Sequence, residues 1–185
     1  KLFIPDNCTG NVIVVYPQGL TRSVVGNPRM VRRVMVDVGF RTARNNDDVN
    51  IIDYINYVVH VKRELNVSDA LAIIPDTWDY NKYTMNLIRF RKAVRNRVGD
   101  VAGIKWLIVT HYGNEPAFLK QYIAYYYSLR DLGIDAGFAI PLRKMTVFHN
   151  GEFTHVQCSR KPTICGTIAN YIIHHVRSVI PLSLI

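Results

Sequence analysis

The segment from Trp106 to Pro116 constrains the fold more than any other part of the chain. Its apolar run, Trp106-Leu107-Ile108-Val109, has the length of a strand and ends in Thr110-His111-Tyr112-Gly113. A helical pattern follows, and a second apolar run from Ala136 to Pro141 comes directly after it. This order indicates a β-loop-α-loop-β unit, in which the loop at the C-terminal end of the strand usually carries the chemistry.

The same alternation of strand and helix recurs along the 185 residues. The predicted strands are Asn11–Tyr16, Val34–Gly39, Ala70–Ile74, Lys105–Thr110 and Ile134–Ile140. The predicted helices are Ile51–Leu65, Tyr80–Val98, Pro116–Leu132 and Thr163–Val179, with a β-hairpin turning at Asn150-Gly151 before the last one. Such alternation favours a single α/β domain, 1–185, with a mostly parallel sheet and right-handed crossovers.

Two architectures fit this pattern. A complete (β/α)₈ barrel needs about 200–250 residues or more, so the chain is expected to form an incomplete TIM-barrel-like sheet followed by the C-terminal hairpin and helix. An open doubly wound α/β sandwich is the alternative.

Charge points to a polyanionic partner. Lysine and arginine number 23 against 14 acidic residues, which gives a net charge of +9. Nucleic acid, RNA or DNA, is therefore the expected partner, ahead of an anionic membrane surface. No apolar run approaches the roughly 18–20 residues that span a bilayer, so no membrane partner and a cytoplasmic location are expected. A homo-oligomer stays open.

The helix predicted after Asp79 concentrates this charge. It carries Lys82, Arg89, Arg91, Lys92, Arg95 and Arg97 and no acidic residue. One interpretation is a solvated face whose C-terminal cations complement the helix dipole. The other is a surface that tracks phosphates.

Cysteine usage argues against a disulfide scaffold, because Cys8, Cys158 and Cys165 are few and odd in number. Free, buried thiols are expected at Cys158 and Cys165, with a zinc site involving nearby histidines as the weaker alternative. No glycine-rich phosphate loop of the dinucleotide or P-loop type occurs. The prediction is therefore that the protein uses no cofactor and no metal.

Three polar residues stand at the C-terminal ends of predicted strands: Asp37, Asp76 and His111. Parallel strands end at one edge of a sheet, so these side chains are expected to line a common pocket and to suit acid–base chemistry. Gly39 and Gly113 would let a ligand approach the backbone. For each acid taken alone, capping of a helix N-terminus is the alternative, and Asp79 is expected to do that.

These strand ends carry a family resemblance. Val34-Met35-Val36-Asp37-Val38-Gly39-Phe40 is similar to an Asp-Ser-Gly-Gly-Phe motif, and Ile73-Ile74-Pro75-Asp76 is similar to a strand that ends in a base-recognising acid. Ile108 to Gly113 and Gly133 to Pro141 stand in the places of a Gln-Gly-Gly motif and a Gly-Phe-Asp-Gly-Tyr-Ala-Ile-Gly-Gly strand. Across Val34 to Leu142 the chain thus resembles the tRNA-guanine transglycosylases (the queuine and archaeosine tRNA-ribosyltransferase superfamily) and their DNA-modifying relatives.

The resemblance implies a TIM-barrel enzyme that exchanges a guanine base at a glycosidic bond. Asp37 would act as a general acid or base, and Asp76 would pair with a guanine-like edge. His111 and Tyr112 stand where the family has a glutamine and a glycine that contact the base, so His111 is a candidate catalytic residue and Tyr112 and Gly113 are candidate substrate contacts. The family's nucleophilic aspartate has no equivalent after Pro141, and its zinc cluster is missing.

Three functions remain open from the sequence. The first is a base-recognising or base-exchanging protein that grips nucleic acid with Arg89 to Arg97. The second is a non-enzymatic nucleic-acid-binding protein on the same scaffold. The third is a sugar-nucleotide glycosyltransferase that holds a metal at Asp47-Asp48 or at Asp76 and Asp79.

Overall fold

A computed structural model describes residues 10–16, 31–38, 49–141 and 144–179. Gly39 and the pair Asp47-Asp48 lie outside the described residues. The strands are β1 (Gly10–Val15), β2 (Val31–Asp37), β3 (Asp69–Ile73), β4 (Ile104–Val109), β5 (Ala136–Ala139), β6 (Lys144–His149) and β7 (Glu152–Gln157). The helices are α1 (Ile51–Leu65), α2 (Tyr80–Val94), α3 (Pro116–Arg130) and α4 (Pro162–Val179).

The first five strands form an open sheet with the order β1-β2-β3-β4-β5. Strands β1 and β2, β2 and β3, and β3 and β4 pair in parallel. The strand order does not reverse, so these strands contain no switch point of the doubly wound type. The predicted α/β fold with an incomplete, barrel-like run of βα units is confirmed, and the described strands do not close a barrel.

Helix boundaries follow local chemistry. Asn50 caps α1, its side chain accepting from the backbone N–H groups of Ile52 and Asp53, and Asn66 ends it in the left-handed conformation. Asp79 caps α2 by accepting from the Lys82 N–H at 2.9 Å, as expected. The predicted end of α2 at Val98 is wrong: the helix stops at Val94, with Arg95 as its C-cap residue.

Two compact units can be distinguished within the chain. The first comprises Lys1–Leu107 and Leu129–Gly137, and the second comprises Ile108–Ser128 and Phe138–Ile185. The predicted single domain stays a prediction.

The core of the first unit forms where α1 and α2 cover one face of the sheet. Trp106 of β4 is buried between Phe90 of α2, with ring centroids 4.7 Å apart, and Tyr54 of α1, at 6.4 Å. Ala72 of β3 stands beside Trp106 in the register. The small alanine leaves room for the indole, so that the layers interdigitate.

The second unit carries the predicted hairpin. Strands β6 and β7 pair antiparallel, and the turn between them has Asn150 at φ 50° and Gly151 at φ 84°. Two consecutive positive φ angles are the signature of a type I′ turn, which confirms the prediction from Asn-Gly.

The prediction of free thiols at Cys158 and Cys165 is wrong, because the two cysteines form a disulfide bond. A turn after β7 brings their Cα atoms to 5.5 Å from each other, within the range that a disulfide bridges. Spacing along the chain alone does not reveal this turn. The bond also occupies the thiols that the zinc alternative requires.

None of the helices in the described part of the chain combines the length and apolar character needed to cross a membrane.

Candidate functional site

The C-terminal ends of β2 and β3 carry the candidate site of the first unit. Tyr54, on the buried face of α1, donates one bifurcated hydrogen bond from its hydroxyl to the Ile73 carbonyl at 2.7 Å and the Val36 carbonyl at 3.2 Å. These carbonyls belong to two neighbouring strands close to their ends. The phenol therefore ties α1 to both strands just before Asp37 and the segment that leads to Asp76.

Asp37 and Asp76 both influence the Tyr54 phenol. Burial raises the pKa of the Tyr54 phenol well above its usual value, and the negative charges of Asp37 and Asp76 raise it further. Asp37 ends β2 and Asp76 follows β3, its parallel neighbour, so both residues belong to the same edge of the sheet. A common pocket and acid–base roles for Asp37 and Asp76 stay predictions.

Aromatic rings form one side of this edge. Tyr16, which follows β1, donates its backbone N–H to the Asp37 carbonyl at 2.8 Å. Its ring packs edge-on against Tyr54 and Tyr57 of α1, with centroid distances of 5.4 and 5.2 Å. Burial raises the pKa of the Tyr57 phenol as well. These contacts join the residue that follows β1 to α1 beside the end of β2.

Two hydrogen bonds hold the segment after β3 in place. Asn86 of α2 is buried and donates its side-chain amide to the Pro75 carbonyl at 3.1 Å. Thr77 is buried and accepts from the Asp79 N–H at 3.3 Å. Asp76 stays partly accessible between these anchors. These two bonds fix the backbone on both sides of Asp76.

Sequence reasoning missed the tyrosines. The α1 pattern was interpreted only as an amphipathic helix, although Tyr54 lies within the apolar stripe of Ile51, Ile55 and Val58. A tyrosine at a core position brings a hydroxyl that must find a partner. A tyrosine at this position therefore predicts a hydrogen-bond acceptor on the strands that α1 covers.

The loop of the second unit is buried. His111 and Tyr112 are each only 2% exposed, and their ring centroids lie 6.0 Å apart. Tyr112 has a φ of 60°, which is uncommon for a residue with a side chain. In this conformation neither ring presents much surface to a ligand. The catalytic role of His111, the substrate-binding role of Tyr112 and their convergence with the aspartates stay predictions.

Gly113 has a packing explanation. A Cβ atom placed on it would stand 2.6 Å from the Ile172 Cδ1 atom and 3.1 Å from the Thr110 carbonyl oxygen. Because Ile172 of α4 is itself buried, the side chain has little room to move away. Because Gly113 has no side chain, Ile172 can pack directly against its backbone. A role of Gly113 in ligand binding stays a prediction.

The basic surface lies on α2 and just after it. Arg89, Arg91, Lys92 and Arg95 are exposed, and among the described residues none of the four forms an ion pair. Helix α2 contains no acidic residue. This surface, called the cationic face below, therefore carries uncompensated positive charge.

Arg97 differs from these residues. It lies beyond the end of α2, where its Nε donates to Asp100 at 3.1 Å and its Nη2 donates to Asn56 at 2.8 Å. Its guanidinium is thereby engaged in holding the turn after α2 against α1. In the structure, the hydrogen bonds of Arg97 have a structural role. A contact of Arg97 with nucleic acid stays a prediction.

Within the described residues, no group of three or more histidine, cysteine, aspartate or glutamate side chains is placed to hold a metal ion. Comparisons with protein-family models, with curated proteins and with solved structures found no match.

Proposed function

We propose that the chain binds nucleic acid and recognises a purine base through Asp37 and Asp76. The observation that supports this proposal is that Asp37 ends β2 and Asp76 follows β3, its parallel neighbour in the sheet. An ionised carboxylate only accepts hydrogen bonds, so it complements the N–H groups on the edge of a guanine-like base. The resemblance to the guanine transglycosylases supports the same role for Asp76.

The cationic face supplies the affinity in this proposal. Helix α2 begins at Tyr80, shortly after Asp76, so both features lie in the same unit. Arginine and lysine contacts to phosphates provide sequence-independent binding, while contacts to a base provide selection. The base must be single-stranded or flipped out, because the carboxylates cannot reach into a stacked duplex.

The proposal concerns recognition of the base. Base exchange through a covalent intermediate also requires a nucleophile. The family's nucleophilic aspartate has no equivalent after Pro141 in this sequence. Release of free guanine from the strand, measured in the binding samples, tests whether exchange accompanies recognition.

Asp37→Asn and Asp76→Asn should each weaken binding of a guanine-containing single strand. Asparagine keeps the shape but replaces one acceptor oxygen with a donor group, which faces the N–H groups of the base. A lost pair of such bonds costs about 1–3 kcal/mol, or roughly 5- to 150-fold in affinity. Fluorescence anisotropy with strands that carry guanine or inosine at one position measures this loss.

Asp131→Asn is the matched control for these variants. Asp131 is exposed, belongs to the same unit and loses the same charge on substitution. The control should bind like the unaltered protein, and the preference for guanine over inosine should disappear only in the Asp37 and Asp76 variants. Equal affinity of all proteins for both strands would refute base recognition.

Arg91→Glu and Arg95→Glu should weaken binding of every strand, whatever its bases, because they reverse charge on the cationic face. Each lost phosphate contact should also reduce the slope of log K against log salt by about 0.7 for a single strand. Arg63→Glu, on an exposed position of α1, is the control. If the arginine variants lose affinity while the aspartate variants bind normally, the protein binds nucleic acid without recognising a base.

A further inference from the structure

A cavity of about 350 Å³ opens where β7 turns into α4, in the second unit. Its lining residues are His155, Val156, Gln157, Arg160 and Lys161. None of these described lining residues is a carboxylate, so the formal charges that they contribute are positive. The volume is at the lower end of the range for small-molecule sites, about 300–1,000 Å³.

The two cations at this cavity are not compensated. Among the described residues, neither Arg160 nor Lys161 forms an ion pair. Their backbone N–H groups both bond to the Gln157 carbonyl, at 3.1 and 3.0 Å. The backbone of the turn is thus satisfied internally, and the guanidinium and ammonium groups remain available to a ligand.

The turn is also anchored covalently. Cys158 lies in it and is bonded to Cys165, in the first turns of α4. Cys165 is buried in a small apolar cluster with Met145 and Ala169. The disulfide therefore fastens the turn that bears both cations to a packed part of the unit, which lowers the cost of ordering the turn when a ligand binds.

We infer that this cavity is a binding site for a phosphate monoester, either on a free nucleotide or at the end of a nucleic-acid strand. Arginine provides a planar fork of donors for phosphate oxygens, and lysine provides a point charge beside it. Helix α4 starts directly after Lys161, so the positive end of its dipole adds to the same field. The inference uses only residues of the second unit and does not depend on Asp37 or Asp76.

Titration of the ¹⁵N-labelled protein with uridine monophosphate, a pyrimidine nucleotide, monitored by amide chemical shifts, tests the site. Arg160→Ala combined with Lys161→Ala should weaken binding about tenfold or more, because each charge-assisted bond is strong. Both side chains are exposed, so the fold should persist. Lys120→Ala combined with Arg177→Ala removes the same charge from exposed positions of the same unit and should leave affinity within about twofold.

Unphosphorylated uridine should not bind. An affinity for uridine equal to that for the monophosphate, or a double variant that binds the monophosphate normally, would overturn the proposal. Parallel titrations with a short oligonucleotide, with and without a 5′-phosphate, distinguish the two sources. An affinity that rises with the 5′-phosphate, and loses this gain in the double variant of Arg160 and Lys161, assigns a strand end, whereas equal affinity for both strands assigns the nucleotide.

Reduction of the disulfide with dithiothreitol tests whether the disulfide contributes to binding. It should weaken binding of the monophosphate several-fold, since it frees the turn that carries both cations. Unchanged affinity after complete reduction would refute the role given to the disulfide.

Discussion

Trp106→Ala should lower the free energy of unfolding by about 3–5 kcal/mol, the largest effect expected of any single substitution considered for this protein. The indole is fully buried between α1 and α2, against Phe90 and Tyr54. Its removal leaves a large cavity, because Ala72 on the neighbouring strand is too small to fill it. Urea unfolding followed by far-UV circular dichroism measures the change.

Trp106→Phe is the matched variant. The indole Nε1 is buried, and no acceptor among the described residues bonds to it. Phenylalanine keeps an aromatic ring in place and removes this unsatisfied donor, so the loss should be much smaller than for alanine. Equal destabilisation by phenylalanine and alanine would show that ring packing at Trp106 is not what stabilises this core.

Tyr54→Phe should lower the free energy of unfolding at pH 7 by about 1–3 kcal/mol, because it removes a buried donor from its hydrogen bond. It removes the hydroxyl that bonds to the Ile73 and Val36 carbonyls. The substitution keeps the ring that packs against Tyr16. Urea unfolding at several pH values between 7 and 11 measures this difference and its pH dependence.

The pH dependence has a definite sign. Burial, then Asp37, then Asp76 raise the pKa of Tyr54 in the folded protein, whereas the unfolded phenol titrates near its usual value of about 10. The stability that the neutral phenol provides is therefore complete below about pH 10 and is lost as pH rises toward the folded-state pKa. The slope from this group approaches about 1.4 kcal/mol per pH unit.

Tyr54→Phe lacks this titration, so the gap in stability between it and the unaltered protein should narrow as pH rises from 9 to 11. Tyr57, whose pKa burial also raises, is present in both proteins and cancels in the comparison. Tyr127→Phe is the control, because this ring is 40% exposed. A gap that stays constant across this range would contradict the assignment of a neutral, buried phenol at Tyr54.

Local sequence signals predicted most of the described elements. Asn50 and Asp79 precede α1 and α2 as caps, Asn66 and Gly133 end helices in the left-handed conformation, and Asn150-Gly151 forms the hairpin turn. These features depend on a few neighbouring residues, so they can be read from the chain directly. The wrong prediction for the end of α2 also has a local cause, since the segment from Arg95 to Gly99 contains no helix-terminating residue before the glycine.

The candidate site was predictable in part. That Asp37 and Asp76 end neighbouring strands follows from a parallel sheet, in which all strands point the same way. That they act on Tyr54 does not follow, because the tyrosine reaches them only when α1 packs on the sheet. The burial of His111 could not be predicted from the sequence either, since burial of a loop depends on residues distant in the sequence.

By itself the sequence determined the order of elements, the positions of the helix caps, the hairpin and the excess of positive charge, because each of these depends on composition or on residues close along the chain. Only the tertiary structure decided which groups meet. Tyr54 joins two strand ends, Cys158 pairs with Cys165, Ile172 takes the place of a side chain at Gly113, and Arg97 bonds to Asn56 rather than standing free. These contacts depend on how strands and helices pack, and packing distances are not encoded in any short stretch of residues.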